Sequence, residues 1–319
     1  MTICIYKFMY QIQSAYLINS VSLLVKILRI FGDRVVLKYF FYPKHATNHN
    51  TTTLAIIKRE SMRYLLFIIF SISMSIEVAA SCSLSGIWAY PSTTELNQNS
   101  IIVVEGYSRS QSVIDSLNMG YYIYLESGKQ KIELEVIETC KGMFLITQAL
   151  LRPKSNLTAG KTYNLIISNL GKKDYIRDLT KWNAEKKEYE PISWKVSSKI
   201  DNEKPEWLSE PKLVDQTMTW YGCGPAVYAV FDLKFNDASS SLIKTELYNT
   251  QTKETNTYYL TLSDAGKLKV GHGMCSGAFK FEAKQHYKIR FSLIDISGNL
   301  NNKMTEWINF DSPYKGGYS

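Results

Sequence analysis

The sequence predicts an all-β protein made of two tandem antiparallel β-sandwiches that follow an N-terminal signal segment. Apolar and polar residues alternate with a period of two, for example over Ile132–Val136 and Tyr287–Leu293, which is the pattern of half-buried strands. Turn sequences such as Ser127-Gly128 and Ser297-Gly298-Asn299 separate these runs. The sequence lacks the alternating strand–helix rhythm of parallel α/β enzymes.

A secretory signal peptide is predicted over residues 62–81. Arg63 supplies the positive start, and Tyr64–Ile76 is an uncharged apolar run that is short for a membrane span. Ala79-Ala80-Ser81 provides the small residues of a cleavage site. The segment predicts an exported chain, either periplasmic or anchored in a membrane at the cell surface.

The position of this signal determines how residues 1–61 are interpreted. A secretory signal acts at the N-terminus of a nascent chain, so Met62 is the expected true start. Residues 1–61 are then an over-extended reading frame or an unstructured tail. The alternative is a cytoplasmic tail ahead of a signal-anchor at 64–76, in which residues 20–31 form an amphipathic surface helix.

The net charge of +8 is concentrated before the mature part. Residues 1–81 contain nine Lys and Arg against three Asp and Glu, a net of +6, which leaves +2 for residues 82–319. Nucleic-acid-binding domains carry a basic patch for the phosphate backbone. The exported part has no such excess, so nucleic acid is excluded as a partner.

The mature chain is predicted to divide into domain 82–199, linker 200–206 and domain 207–319. The linker is polar and contains Pro205, and it follows a strand pattern that ends near Val196. A C-x-G-x-F motif occurs in each half, at 140–144 and 275–279. In each half a strand that begins with tyrosine follows the motif, which indicates two related domains.

Four cysteines lie in the mature part, where an oxidising compartment permits disulfides. Cys223 and Cys275 belong to the same predicted domain, and we expect them to pair. Two alternatives remain open for Cys82. It is either the lipidated first residue of a lipoprotein, since residues 79–82 are similar to a lipobox, or it forms a disulfide with Cys140.

Short motifs in both halves resemble a known superfold. Residues 157–163, LTAGKTY, resemble the L-x-P/A-G-x-x-Y signature of bacterial Ig-like and fibronectin-III-like domains. Residues 223–225, 271–277 and 295–299 resemble paired-cysteine Ig-like domains of bacterial exported proteins. The resemblance covers roughly residues 86–310. It implies a tyrosine corner at Tyr163 and supports the Cys223–Cys275 bridge.

No catalytic, cofactor or metal site is predicted. His272, Cys275 and Cys223 are a conceivable zinc set, but no fourth ligand is visible and an exported cysteine pair favours a disulfide. Catalysis by a Cys275–His272 pair would require an unbonded thiol. Residues 295–301 are interpreted as a hairpin turn rather than a calcium site, because their Asn and Gly residues satisfy turn chemistry.

Two further features are candidates for surface contact. Residues 169–190 are densely charged and are interpreted as a surface insertion or short helix, with a binding lid as the alternative. Aromatic residues form two clusters that could serve as contact platforms or pack within the strands. The clusters are Tyr121, Tyr122 and Tyr124, and Trp220 with Tyr221.

These observations predict a non-enzymatic exported protein that acts through protein or glycan contacts at the cell envelope. Its partner would be an envelope protein or glycan, and its membrane contact would be the signal or a lipid on Cys82. An exported hydrolase with a dispersed site and a structural spacer or assembly component are the alternatives.

Overall fold

The computed structural model describes Cys82 and residues 85–170, 179–237, 240–263, 265–301 and 303–317. The predicted segments 1–61 and 62–81 lie outside the described residues. The described part is almost entirely β-structure, which confirms the predicted fold class. Within it, no helix has the length and hydropathy needed to cross a membrane.

One short helix and a series of strands make up the described part. The helix is α1 (Gln111–Asp115). The strands of the first half are β1 (Ser85–Tyr90), β2 (Glu95–Leu96), β3 (Ile102–Ser108), β4 (Ile123–Ser127), β5 (Gln130–Lys141), β6 (Ile146–Pro153), β7 (Thr162–Ile167), β8 (Thr180–Asn183), β9 (Glu188–Pro191) and β10 (Ser193–Val196). Those of the second half are β11 (Glu206–Tyr221), β12 (Gly224–Asn236), β13 (Ser241–Asn249), β14 (Thr255–Leu260), β15 (Lys267–His272), β16 (His286–Asp295) and β17 (Ile308–Asp311).

The first half is a sandwich whose two layers are joined by β5. Its strand order is β1-β3-β6-β5-β4-β7-β10-β2, antiparallel except for the pair β10–β2. The first four residues of β5 pair with β4, and the rest of β5 pairs with β6. The register on the β6 side shifts between Val136 and Glu138. Such a bulge bends a strand and increases its twist, which allows β5 to pass from one layer to the other.

The second half places a three-stranded sheet, β11-β12-β15, against a four-stranded sheet, β14-β13-β16-β17. Period-two alternation explains which residues enter its core. One face of β12 and one face of β16 are buried, and the alternation over Tyr287–Leu293 predicts the latter. The buried residues on these faces are Val227, Ala229, Phe231, Leu233, Tyr287, Ile289, Phe291 and Leu293. Phe231 and Phe291 meet edge to face across the sandwich, with ring centroids 5.2 Å apart.

The strands β3 and β6 are apolar on both faces, so their layer contributes to two cores. Ile102 and Val104 of β3 belong to the core of the first sandwich. Ile101 and Val103, which alternate with them, belong to the core of the second half. The strand β6 divides in the same way, since Leu151 faces the first core and Leu150 the second. The halves therefore share a buried seam rather than only a linker.

Two buried tyrosines form hydrogen bonds with equivalent loops in the two halves. The hydroxyl of Tyr163 accepts a hydrogen bond of 3.3 Å from the backbone N–H of Thr158, five residues upstream. The hydroxyl of Tyr287 accepts one of 2.9 Å from the backbone N–H of Glu282, again five residues upstream. Both contacts have the pattern of a tyrosine corner. The one at Tyr287 was not anticipated from the sequence.

Candidate functional site

The disulfide joins Cys82 to Cys275, with Cα atoms 5.7 Å apart, and not the expected Cys223 to Cys275. The alternative Cys82–Cys140 bond is also wrong, because Cys140 is a buried thiol in β5. The expected bond joins two cysteines of one predicted domain. In the folded chain the shared seam brings the segment before β1 beside the loop after β15, so the bond crosses between the halves.

Cys223 lies next to this disulfide without belonging to it. The sulfur atoms of Cys82, Cys223 and Cys275 all lie within 4.8 Å of one another, and each residue is half-buried. His272 is not part of this group among the described residues. Its Nδ1 instead lies 2.8 Å from the carbonyl oxygen of Gly273. The structure therefore assembles neither the considered zinc set nor a Cys275–His272 nucleophile pair, since Cys275 is oxidised.

The two C-x-G-x-F motifs pair with each other across the seam. The backbone of Phe144 exchanges hydrogen bonds of 3.1 and 2.9 Å with the backbone of Gly277, and Met143 donates to the carbonyl of Ala278. The Phe144 ring packs edge-on against the His272 ring, with centroids 5.3 Å apart. A Cβ atom on Gly277 would lie 2.3 Å from the Cα atom of His272, so glycine is required for this approach.

Polar side chains of the first half fix two tyrosines of β14 at the seam. The hydroxyl of Tyr258 donates a 2.7 Å hydrogen bond to Glu105. The amide of Gln148 bonds both to the carbonyl and to the N–H of Tyr259, at 3.0 and 3.2 Å. Because β14 is an edge strand, this amide satisfies backbone groups that an edge would otherwise leave exposed. The hydroxyl of Tyr259 donates to Glu138 at 2.7 Å.

A cleft of about 350 Å³ opens along this seam. Trp88 and Glu105 line it from the first half, and Tyr228, Lys269 and His272 line it from the second. Burial raises the pKa of Glu105, and its hydrogen bond from Tyr258 opposes that rise. Burial lowers the pKa of His272, which favours the neutral imidazole. Glu105 accepts the hydrogen bond from Tyr258, and His272 lies against the Gly273 carbonyl and the Phe144 ring. These contacts fit a structural role at the seam.

The remaining predicted site residues lie apart from the cleft. Tyr163 is buried in the first core. Asp295 caps its own turn, because its carboxylate accepts backbone N–H bonds from Ser297 and Asn299 at 2.9 and 2.8 Å. This arrangement agrees with the turn interpretation of residues 295–301. Of the aromatic clusters, Tyr122 and Tyr221 are exposed.

The charged segment contains the most exposed aromatic pair of the described structure. Its described residues 180–191 form an antiparallel hairpin of β8 and β9, and not a short helix. Trp182 lies opposite Tyr189 in the register, with ring centroids 5.1 Å apart at an interplanar angle of 61°. The two residues are 53% and 46% exposed. The side chain of Asn183 forms the turn by accepting the N–H groups of Glu185 and Lys186.

Residues 171–178, in the same charged segment, lie outside the described residues. The hairpin was not predicted from the sequence, because the many charged residues of this segment indicate a solvated insertion and only two aromatic residues indicate strands. The detectable signal was Trp182 and Tyr189 flanking a turn that begins with Asn183. An aromatic pair placed symmetrically about such a turn is typical of cross-strand partners in a hairpin.

No protein-family model matches the chain, and no curated protein sequence matches it. Solved structures that resemble it include the tandem Ig repeats of Dlar, at 11% identity and TM-score 0.21, covering 70% of this chain and 95% of that one. Another is dimeric latent PorU from Porphyromonas gingivalis, at 12% identity and TM-score 0.27, covering 72% of this chain and 20% of that one.

A third is type I pullulanase from Bacillus subtilis complexed with maltose, at 13% identity and TM-score 0.19. That match covers 72% of this chain but only 24% of the pullulanase, so the chain spans about a quarter of its length.

Proposed function

We propose that this chain is a non-enzymatic exported protein that acts by surface contact at the cell envelope, with the β8–β9 hairpin as its contact element. The observation that carries the proposal is the exposed Trp182–Tyr189 pair. Tryptophan and tyrosine dominate the binding energy of protein interfaces because they bury a large area at low entropic cost. Here they lie at the surface of a hairpin, where a partner can enclose them.

The geometry of the pair favours a protein partner over a glycan. Sugars stack on flat aromatic faces, whereas the Trp182 and Tyr189 rings meet edge to face at 61° and form no continuous flat platform. The same hairpin carries charged residues, including Lys186, which forms an ion pair with Glu190. An aromatic centre with a charged rim is the usual composition of a protein–protein contact.

The proposed location follows from the signal over residues 62–81, and the proposed membrane contact is that signal, because the Cys82 sulfur is held in the disulfide with Cys275. The shared seam supports a contact role. It fixes the two halves in one arrangement, so that loops and the hairpin are presented from a constant framework.

The test compares the double variant Trp182→Ala/Tyr189→Ala with the control Tyr122→Ala. Tyr122 is also exposed, at 58%, but lies outside the hairpin. A photo-crosslinking residue at position 180, on the same hairpin, identifies the bound protein in intact envelopes. Loss of a hot spot costs at least about 2 kcal/mol, or roughly 30-fold in affinity. We expect that loss for the double variant and unchanged binding for the control.

Three results would contradict the proposal. Binding that survives the double variant would place the contact elsewhere. An envelope with no crosslinked partner would favour the spacer alternative. Turnover in a broad hydrolase panel, abolished by Glu105→Gln, would favour an enzyme whose site is the seam cleft.

A further inference from the structure

The seam cleft carries one negative and one positive side chain that do not neutralise each other. Among the described residues that line it, Glu105 is the only carboxylate and Lys269 the only ammonium. No ion pair joins these two described residues, and the Lys269 ammonium lies instead over the Tyr228 ring, 5.8 Å from its centroid. Two opposite charges held apart in one cleft offer separate partners to the two charged groups of a zwitterion.

The structural contact of Glu105 uses only one of its two carboxylate oxygens. Its Oε2 accepts the 2.7 Å hydrogen bond from Tyr258. Its Oε1 has no hydrogen-bond donor among the described residues, and it is not one of the fully buried atoms. The residue itself is half-buried in the wall of the cleft. Because a carboxylate can accept several hydrogen bonds, Oε1 is available to an ammonium group that enters the cleft.

Aromatic and apolar side chains line the rest of the cleft. Trp88 lies opposite Glu105 in the register of β1 and β3, and it is 53% exposed, so much of its ring is open to a ligand. The wall continues with Tyr228 and with the buried Val103 and Leu242. Small-molecule sites combine such an apolar lining with a few polar groups that orient the ligand, in volumes of about 300–1,000 Å³. The 350 Å³ of this cleft suits a ligand at the small end of that range.

We propose that the seam cleft binds a small zwitterion with an aromatic side chain, of the class of the aromatic α-amino acids. The ammonium group of the ligand donates a hydrogen bond to Oε1 of Glu105, and its carboxylate accepts one from Lys269. Its aromatic ring packs against Trp88, since aromatic rings favour offset or edge-on contact with each other. This site is separate from the β8–β9 hairpin, and it adds recognition of a small molecule to the proposed surface contact.

The first experiment compares three probes on the wild-type chain by isothermal titration calorimetry, so it does not depend on any variant folding. The probes are L-phenylalanine, phenethylamine, which lacks the carboxylate, and 3-phenylpropanoate, which lacks the ammonium group. A pH of 8 favours the ionised carboxylate, because burial raises the pKa of Glu105. Since a hydrogen bond to a charged group is lost, each truncated probe should bind at least about tenfold more weakly than L-phenylalanine. The absence of saturable L-phenylalanine binding, or equal affinity for the three probes, would overturn the proposal.

The second experiment assigns each charged group of the ligand to its residue. Glu105→Gln removes the negative charge but keeps a hydrogen-bond acceptor, and Lys269→Gln removes the positive charge from an exposed side chain. In Glu105→Gln, L-phenylalanine and 3-phenylpropanoate should bind with nearly equal affinity, because the ammonium group has lost its partner. In Lys269→Gln, L-phenylalanine and phenethylamine should do so, because the carboxylate has lost its partner. A tenfold difference that persists in the matching variant would overturn the proposal.

Two controls separate the cleft from other parts of the surface. Lys234→Gln removes a positive charge that is exposed on β12 outside the cleft. The double variant Trp182→Ala/Tyr189→Ala removes the aromatic pair of the hairpin. Both should bind L-phenylalanine with the wild-type affinity, and a tenfold loss in either would contradict a site in the cleft. Because the hairpin variant tests the proposed function and the cleft variants do not, the two proposals can fail separately.

Discussion

The Tyr258→Phe substitution tests whether the seam is held by a specific polar contact. Tyr258 is 1% exposed, and phenylalanine keeps its ring. The change removes only the hydroxyl that donates to Glu105 at 2.7 Å. Hydrogen bonds to charged groups contribute about 1.5–3 kcal/mol, and those between neutral groups about 0.5–1.5 kcal/mol. The cost of the substitution should therefore depend on whether Glu105 is ionised.

The direction of this pH dependence follows from the pKa of Glu105. Burial raises that pKa above the ordinary value of 4.5 in the folded chain. The group therefore opposes folding progressively as the pH rises through its folded-state pKa, and it has no such effect below 4.5. Losing the Tyr258 hydroxyl raises the folded-state pKa further. We expect Tyr258→Phe to lower the free energy of unfolding by about 1 kcal/mol at pH 4, where Glu105 is protonated, and by a larger amount, about 1.5–3 kcal/mol, once Glu105 ionises as the pH is raised towards 8.

Urea unfolding at the two pH values measures these losses, with Tyr122→Phe as a control at an exposed position. The Glu105→Gln background supplies a second check, because a neutral amide accepts the same hydrogen bond without titrating. On that background the cost of Tyr258→Phe should be about 0.5–1.5 kcal/mol at both pH values. An equal cost at pH 4 and pH 8 in the native background, or a cost below about 0.5 kcal/mol, would refute the role assigned to this pair.

Two other predictions concern the same seam. Gly277→Ala should destabilise the protein by about 1–3 kcal/mol, because the new Cβ atom meets backbone atoms of His272 and Gly271. Thermal unfolding measures the loss. The control Gly120→Ala has open space around it and should stay within about 0.5 kcal/mol of the wild type. Equal destabilisation by the two substitutions would contradict this account. The isolated fragment 206–317 should unfold cooperatively but at a lower urea midpoint than the full chain, because Val103 and other first-half residues complete its core. An unchanged midpoint would show that the halves are energetically independent.

The strands could be predicted from the sequence because their pattern is local. Alternation over Ile132–Val136 and Tyr287–Leu293 follows from strand geometry alone, whatever the strands pack against. The turn at Asp295 and the tyrosine corner at Tyr163 depend on contacts within five residues. Interactions this short in sequence leave a signature that can be read without knowing the tertiary structure.

The seam could not be predicted in the same way, although one signal was present. Residues 101–104, IIVV, form an uninterrupted apolar run, and such runs mark strands that are buried on both faces. If these residues are interpreted as an edge strand of one sandwich in a tandem pair, the second buried face is overlooked and the two domains are predicted to be independent. The error in the disulfide has the same origin, because Cys82 and Cys275 are neighbours only when the halves share a core. A pairing across 193 residues has no local signature.

The seam combines apolar burial with polar contacts, and the combination specifies one arrangement of the halves. Burial of Val103 and Leu150 is non-directional and would tolerate sliding of one half over the other. Gln148 is 4% exposed and satisfies its amide on the backbone of Tyr259. A shift of one half by one strand position would leave the Gln148 amide and the Tyr259 backbone buried without these partners. The cost would be about 1–3 kcal/mol for each unpaired polar group. The polar contacts therefore select the register that the apolar contacts stabilise, and in that register Cys82 and Cys275 lie within bonding distance.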